Sequence, residues 1–177
     1  MSASLPVIWL TGLSGSGKTT IAKALSQRLQ RQGLRTAHLD GDTLREGLNN
    51  DLAFSDDDRM ENVRRAAHVA RIMRNGGAVV ICSLISPLVS MRQLAREIIG
   101  EGFIEVYVNC PIEVCMQRDV KGLYAKATAG HIDDFTGIGS EYEPPLEPDI
   151  DLNTVEMSVG ECVARIEQAL SNRTAHS

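Results

Sequence analysis

The sequence predicts an α/β fold, a mainly parallel five-stranded sheet flanked by helices, in a single domain over residues 1–177. Three observations carry this expectation. Short apolar runs at residues 7–10, 78–82 and 103–108, mostly rich in β-branched residues, are separated by stretches with helical spacing, the pattern of parallel strands joined by crossover helices. A glycine-rich segment joins the first run to the first helical stretch. The chain has 177 residues, 43% of them hydrophobic and 23% charged, which suits one globular core of substantial size.

The elements follow in order. A helix starting near Lys18 carries Ile21, Ala22, Leu25 and Leu29 on one face and should stop at Gly33, where a left-handed cap suits glycine. Residues 36–39 read as the second strand. Ser55 and Asp58 resemble an N-cap with an acidic first turn, and Met60, Val63, Ala67, Ala70 and Met73 form a stripe that ends at Gly76. A further helix is expected over 90–99 and another from Pro111, whose fixed φ suits a first helical position. Ser158 and Glu161 form a capping box for the last helix, whose apolar stripe is Val159, Cys162, Val163, Ile166 and Leu170. Between residues 119 and 147 the periodicity fails over a stretch rich in glycine, proline and charge. That is too long for an ordinary connection, and a functional lid is expected there.

Composition excludes several classes. A formal charge of −5 gives no basic footprint for nucleic acid. No apolar run approaches the roughly 20 residues that cross a bilayer, and the residues before Val7 lack the zones of a signal peptide. A cytoplasmic location is expected. Cys82, Cys110, Cys115 and Cys162 contain no C-x-x-C pair and read as reduced packing residues, with no zinc and no disulfide frame.

The chemistry begins at Gly12-Leu13-Ser14-Gly15-Ser16-Gly17-Lys18-Thr19, which matches G-x-x-x-x-G-K-[ST] between a predicted strand and a predicted helix. Glycines let backbone N–H groups converge on phosphate oxygens, and the helix N-terminus adds partial positive charge. Lys18 should reach the β and γ phosphates, the Thr19 hydroxyl should hold Mg²⁺, and Thr20 closes the nucleotide-binding set. The fold expected is therefore the P-loop NTPase type, with ATP and Mg²⁺. A GTPase would carry an N-K-x-D segment, and none is present. Ser83 follows the strand at 78–82 where many P-loop ATPases place an aspartate for Mg²⁺. The carboxylates lie instead in Asp40-Gly41-Asp42, at the carboxyl end of the second strand, where a parallel sheet lines its ligand crevice. One carboxylate there could orient or deprotonate an accepting hydroxyl, and the other could hold metal-bound water.

From Leu39-Asp40-Gly41-Asp42-Thr43-Leu44-Arg45-Glu46-Gly47-Leu48 onward the sequence resembles the adenylylsulfate (APS) kinases. Further matching blocks are Asp51 to Ser55, Arg59 with Glu61-Asn62 and Arg64-Arg65, and Ile85-Ser86-Pro87. The match continues through residues 103–108, Arg118 to Tyr124, Phe135 to Ile138 and Tyr142-Glu143-Pro144, so it spans about residues 6–155. The resemblance implies transfer of the ATP γ-phosphoryl group to the ribose 3′-hydroxyl of adenosine 5′-phosphosulfate. It implies Asp42 as base, Lys18 and Ser86 as further catalytic residues, and Asp40 with Thr19 beside Mg²⁺. Arg45, Arg59 and Asn62 would grip the phosphosulfate, and Phe54 and Phe135 would stack on the adenine of APS. Ile85 and Ser86 would border the acceptor, through the hydroxyl or the backbone of Ser86, which is phosphorylated in some relatives. Lys121 would close over the acceptor and Arg118 would lie near the ATP adenine. A homodimer and an ATP sulfurylase partner are likewise implied.

The chain also departs from the family pattern. Leu88 and Val89 stand where an aromatic residue and an arginine are common, Gln93 replaces an aspartate, Thr128 an arginine, Asp133-Asp134 a Lys-Gly pair, and Thr43 an asparagine. An N-terminal extension of many relatives is not expected. The lost positive charge leaves two readings open beside the first: a related P-loop kinase for another nucleotide-linked small molecule, and a non-catalytic nucleotide-binding regulatory subunit.

Overall fold

The computed structural model describes residues 5–131 and 135–174. Five strands, β1 (Val7–Thr11), β2 (Thr36–Asp40), β3 (Val79–Ser83), β4 (Phe103–Asn109) and β5 (Ile150–Asn153), form one sheet in the order β2-β3-β1-β4-β5. Every pairing is parallel, with Ile8 opposite Ile81 on one side and Ile104 on the other. The helices are α1 (Lys18–Arg31), α2 (Gly41–Glu46), α3 (Asp56–Asn75), α4 (Val89–Ile99), α5 (Ile112–Arg118), α6 (Leu123–Thr128) and α7 (Val159–Thr174).

Two cores arise from the two-residue period of the strands. Ile8 and Leu10 point to the side covered by α1 and α7, where they pack with Leu25, Leu29, Val163 and Ile166. Val7 and Trp9 point the other way, toward Val63, Ala67 and Ala70 of α3 and Met91, Ala95 and Ile99 of α4. With both faces covered, β1 and β3 are buried at every residue, which is why they read as unbroken apolar runs.

The expected boundaries hold to within a residue or two. Gly33 adopts φ 83 after α1, while the left-handed residue after α3 is Gly77 rather than Gly76. Ser55 caps α3 by accepting the Asp58 N–H, and Pro111 precedes α5 as its N-cap. The fifth strand, expected but not located from the sequence, is a four-residue edge strand whose alternating Ile150 and Leu152 offer too short a pattern to stand out. The stretch at 119–147 contains α6 and a Thr136–Ser140 bridge; Asp133 and Asp134 lie outside the described residues.

Because β1 sits where the strand order reverses, its carboxyl end opens into the crevice between β3 and β4. Thr11, Asp40 and Ser83, the last residues of β1, β2 and β3, all face this end.

Candidate active site

The loop after β1 is built around residues that a side chain would block. Gly12 has φ 152, and a Cβ there would come within 2.6 Å of the Val108 carbonyl oxygen and 2.9 Å of Ser16 Oγ. The loop therefore packs directly on β4 before turning through Gly15 and Gly17, both at positive φ, into α1. Lys18 is buried, and its ammonium donates to the carbonyls of Gly12 and Leu13, each at 2.7 Å. Burial pushes its pKa down to about 8, with the nearby Lys121 ammonium adding to the fall and Asp42 and Asp40 opposing it. Ser16 Oγ is buried with no hydrogen-bond partner among the described residues. An unmatched polar atom inside a loop of convergent N–H groups suits an anion's oxygen.

The carboxylates come from the β2–α2 junction. Asp40 is the N-cap of α2, its Oδ1 accepting the Asp42 N–H at 3.0 Å. Its Oδ2 accepts the Thr19 hydroxyl at 2.8 Å and the Ser83 hydroxyl at 2.9 Å. Burial would raise the Asp40 pKa, but these hydrogen bonds, with the Thr43 N–H, together hold it below the usual carboxylate value. Ser83 spends its one proton on Asp40, so the 2.7 Å contact from His38 Nε2 is a donation by the ring. Thr19 and Asp40 thus form a compact pair of hard oxygen donors beside the phosphate loop, a donor set that fits Mg²⁺ completed by phosphate and water oxygens. No cluster of three or more His, Cys, Asp or Glu able to hold a metal occurs among the described residues. Asp42, one residue into α2, projects outward and meets Lys121.

These groups share a cavity of about 570 Å³. Its wall includes Ser14, Gly15, Gly17, Lys18, Thr19 and Thr20 of the loop, both carboxylates, and Arg45, Phe54, Arg59, Asn62, Ile85, Ser86, Lys121 and Phe135. Gly12, Leu13 and Ser16 support the loop from behind that wall. Arg118 also lies off it: its guanidinium donates to Thr154 O at 2.9 Å and approaches the carbonyls of Gly15 and Ser16.

Local packing fixes each of these cavity side chains. The Arg45 guanidinium lies 4.3 Å from the centre of the exposed Phe54 ring and donates to the carbonyls of Leu52 and Ala53. Arg59 is buried, donating to the Phe54 carbonyl at 2.7 Å and to the Thr136 hydroxyl. Asn62 Oδ1 accepts from buried Asn49, which leaves the Asn62 amide donors for the cavity. Phe135 packs edge-on against Tyr124, whose hydroxyl donates to the Ser14 carbonyl. The Ser86 hydroxyl accepts the Trp9 indole N–H at 3.1 Å.

Thr136, Asn49, His38, Ser83 and Arg92 were not expected to serve the site. Thr136 sits inside a matching block, next to Phe135, and that was its only signal. The altered positions Thr43, Leu88, Val89, Gln93 and Thr128 are all absent from the cavity wall.

The adenylylsulphate kinase family model matches residues 5–153. The adenylyl-sulfate kinase of Burkholderia ambifaria is 55% identical over 165 residues, 93% of this chain and 91% of that protein. That of Halothermothrix orenii is 51% identical over 166 residues, 94% of this chain and 89% of the relative. The solved structure of the Mycobacterium tuberculosis APS kinase in complex with AMPPNP and APS superposes with a TM-score of 0.92 at 44% identity, covering 96% of this chain and 99% of that one. The chain therefore belongs to the adenylylsulphate kinase family.

Proposed function

We infer that this chain is an adenylyl-sulfate kinase: it transfers the γ-phosphoryl group of ATP to the 3′-hydroxyl of adenosine 5′-phosphosulfate, giving 3′-phosphoadenylyl sulfate and ADP. One observation carries the reading. A single cavity joins the phosphate loop and its Thr19–Asp40 pair to a second carboxylate, Asp42, and to a region of opposite character formed by Phe54, Phe135, Arg59 and Asn62. The first part suits a triphosphate, the second a planar base carrying an anionic tail.

In the proposed mechanism the loop N–H groups and Lys18 hold the β and γ phosphates. Asp42 accepts the proton of the 3′-hydroxyl as its oxygen attacks the γ phosphorus, and the bond from that phosphorus to the β–γ bridging oxygen breaks to release ADP. Thr19 and Asp40 would hold Mg²⁺, which would supply positive charge against the negative charge that builds during transfer. Phe54 and Phe135 stack on the acceptor's adenine, Arg45, Arg59 and Asn62 bind its phosphosulfate, Ile85 and Ser86 border its ribose, and Lys121 closes over it. Arg118 lies toward the ATP adenine. Ser86 serves through its backbone N–H, because its hydroxyl accepts from Trp9 and donates to the Leu84 carbonyl, and its own carbonyl accepts from Arg92.

The changed residues argue for another acceptor less than they did in the sequence, since those that are described all lie off the cavity wall. We place the reaction in the cytoplasm, with the chain acting as a homodimer, which sedimentation equilibrium tests; an ATP sulfurylase partner is tested by co-elution of the two purified proteins. Mg²⁺-dependent ADP release, compared for APS, adenosine 5′-phosphate, other nucleotides and no acceptor, tests the function. Release with APS alone supports it, and equal release without acceptor or with another nucleotide overturns it.

A further inference from the structure

Ser86 and Asp119 are the non-glycine residues at positive φ among the described residues, and Ser86, at φ 40, lies on the cavity wall. A non-glycine residue stays in this region only where its surroundings over-determine it. Here they do. The Ser86 carbonyl accepts Arg92 Nη1 at 2.8 Å and the Thr11 hydroxyl at 3.4 Å, and its own hydroxyl accepts the Trp9 indole. The carbonyls on either side are also taken, Ile85 by Thr11 at 2.6 Å and Pro87 by Arg92 Nη1 at 3.1 Å.

The guanidinium that holds this turn also reaches the return segment of the lid. Arg92 Nη2 donates to the Glu143 carbonyl at 2.6 Å. Glu143 is fastened at its other two polar points as well: its N–H donates to the Pro87 carbonyl at 2.8 Å, and Oε2 accepts the Val89 N–H at 2.6 Å. That carboxylate caps α4, whose N-cap residue Leu88 has no side chain to do so. Tyr142 adds a hydroxyl contact to Thr11 at 3.0 Å. Arg92 is itself fixed, 3% exposed, by Nε against Glu105 Oε1 at 2.9 Å. One planar fork thus serves the core carboxylate, the turn and the lid together, which an ammonium group could not do.

We propose that Arg92 is a positioning residue that ties the strained Ser86 turn to the lid's return at Tyr142 and Glu143, and so fixes the acceptor side of the cavity. Arg92 is not on the cavity wall, whereas Ile85, Ser86 and Pro87 are. Nor does it bond to any residue of the phosphate loop, so the nucleotide side stands apart from it. The assignment of that side to the acceptor rests on the proposed function; the tie itself does not.

The sole tryptophan donates to Ser86, so its fluorescence reports the turn independently of the reaction. Arg92→Lys keeps the charge and loses the fork, and Tyr142→Phe removes one hydroxyl and keeps the ring. The expected result is a shifted Trp9 emission in both variants with unchanged far-UV circular dichroism. In Arg92→Lys the KM for APS should rise at least about tenfold, as loss of several buried hydrogen bonds implies, while the KM for ATP changes less than about twofold. Tyr142→Phe should move both readouts the same way by less, and it decides the matter if Arg92→Lys does not fold. Unchanged emission, or ATP and APS constants that rise together, would overturn the proposal. A wild-type protein inactive on APS would remove the functional reading, while the emission would still decide whether Arg92 holds the turn.

Discussion

Lys121, in the segment after α5, forms an ion pair with Asp42 across the cavity, and both side chains are more than half exposed. Such a pair contributes at most about 1 kcal/mol, so in the proposed reaction an incoming hydroxyl could take the Asp42 carboxylate from Lys121 without great cost. Asp42→Ala should lower kcat by about 10²- to 10⁴-fold, the range for a lost general base. Binding of AMPPNP, measured by calorimetry, should change little. Wild-type turnover in this variant would remove Asp42 from its role.

The Thr19–Asp40 contact makes a separate claim about the metal. Asp40→Asn keeps the shape of the side chain but loses the charge that Thr19 and Ser83 both address. Its Mg²⁺ half-saturation should rise about tenfold or more, by analogy with the cost of disturbing groups around a bound metal. Titration of Mg²⁺ against ADP release, and against nucleotide binding, measures this directly; identical metal dependence in both proteins would contradict it.

Lys18 predicts a pH dependence. Its folded pKa is lowered to about 8, first by burial, so the free protein loses the ammonium charge as pH rises through 8. Phosphate binds the protonated form and holds the proton in place. AMPPNP affinity should therefore be steady below pH 8 and weaken above it, by up to about tenfold per pH unit. Lys18→Arg, charged throughout, should flatten that slope even where it binds less tightly overall.

Phe54 is 55% exposed, and Arg45 stacks on it. A large ring left this open is better explained by a planar ligand than by the core. Phe54→Ala should raise the KM for APS by about tenfold or more, the worth of one base–aromatic stack, with the thermal midpoint within a degree or two. Loss of stability with an unchanged KM would make the ring structural.

What could be read in the sequence was what the chain keeps contiguous. The phosphate loop is eight consecutive residues, and Asp40 and Asp42 follow a strand, so local rules suffice for both. The site's supports are different in kind. Arg59 meets Thr136 across 77 positions, Arg92 meets Glu143 across 51, and His38 reaches Ser83 across 45. These meetings depend on strand order and helix docking, which no local pattern records. Asn49 carries no local signal, and only the docking of α3 buries it against Asn62. The fifth strand was expected but not located for a related reason: at four residues on a sheet edge, its identity comes from its pairing with β4.

Transfer to a 3′-hydroxyl is decided by identifying the product formed from Mg²⁺, ATP and APS by phosphorus NMR and mass spectrometry, with 3′-deoxy-APS as control. The expected result is one new phosphomonoester at the 3′ position, equimolar with ADP, and no transfer to the deoxy analogue. A phosphate found elsewhere on the acceptor, or turnover undiminished with the 3′-deoxy compound, would contradict it.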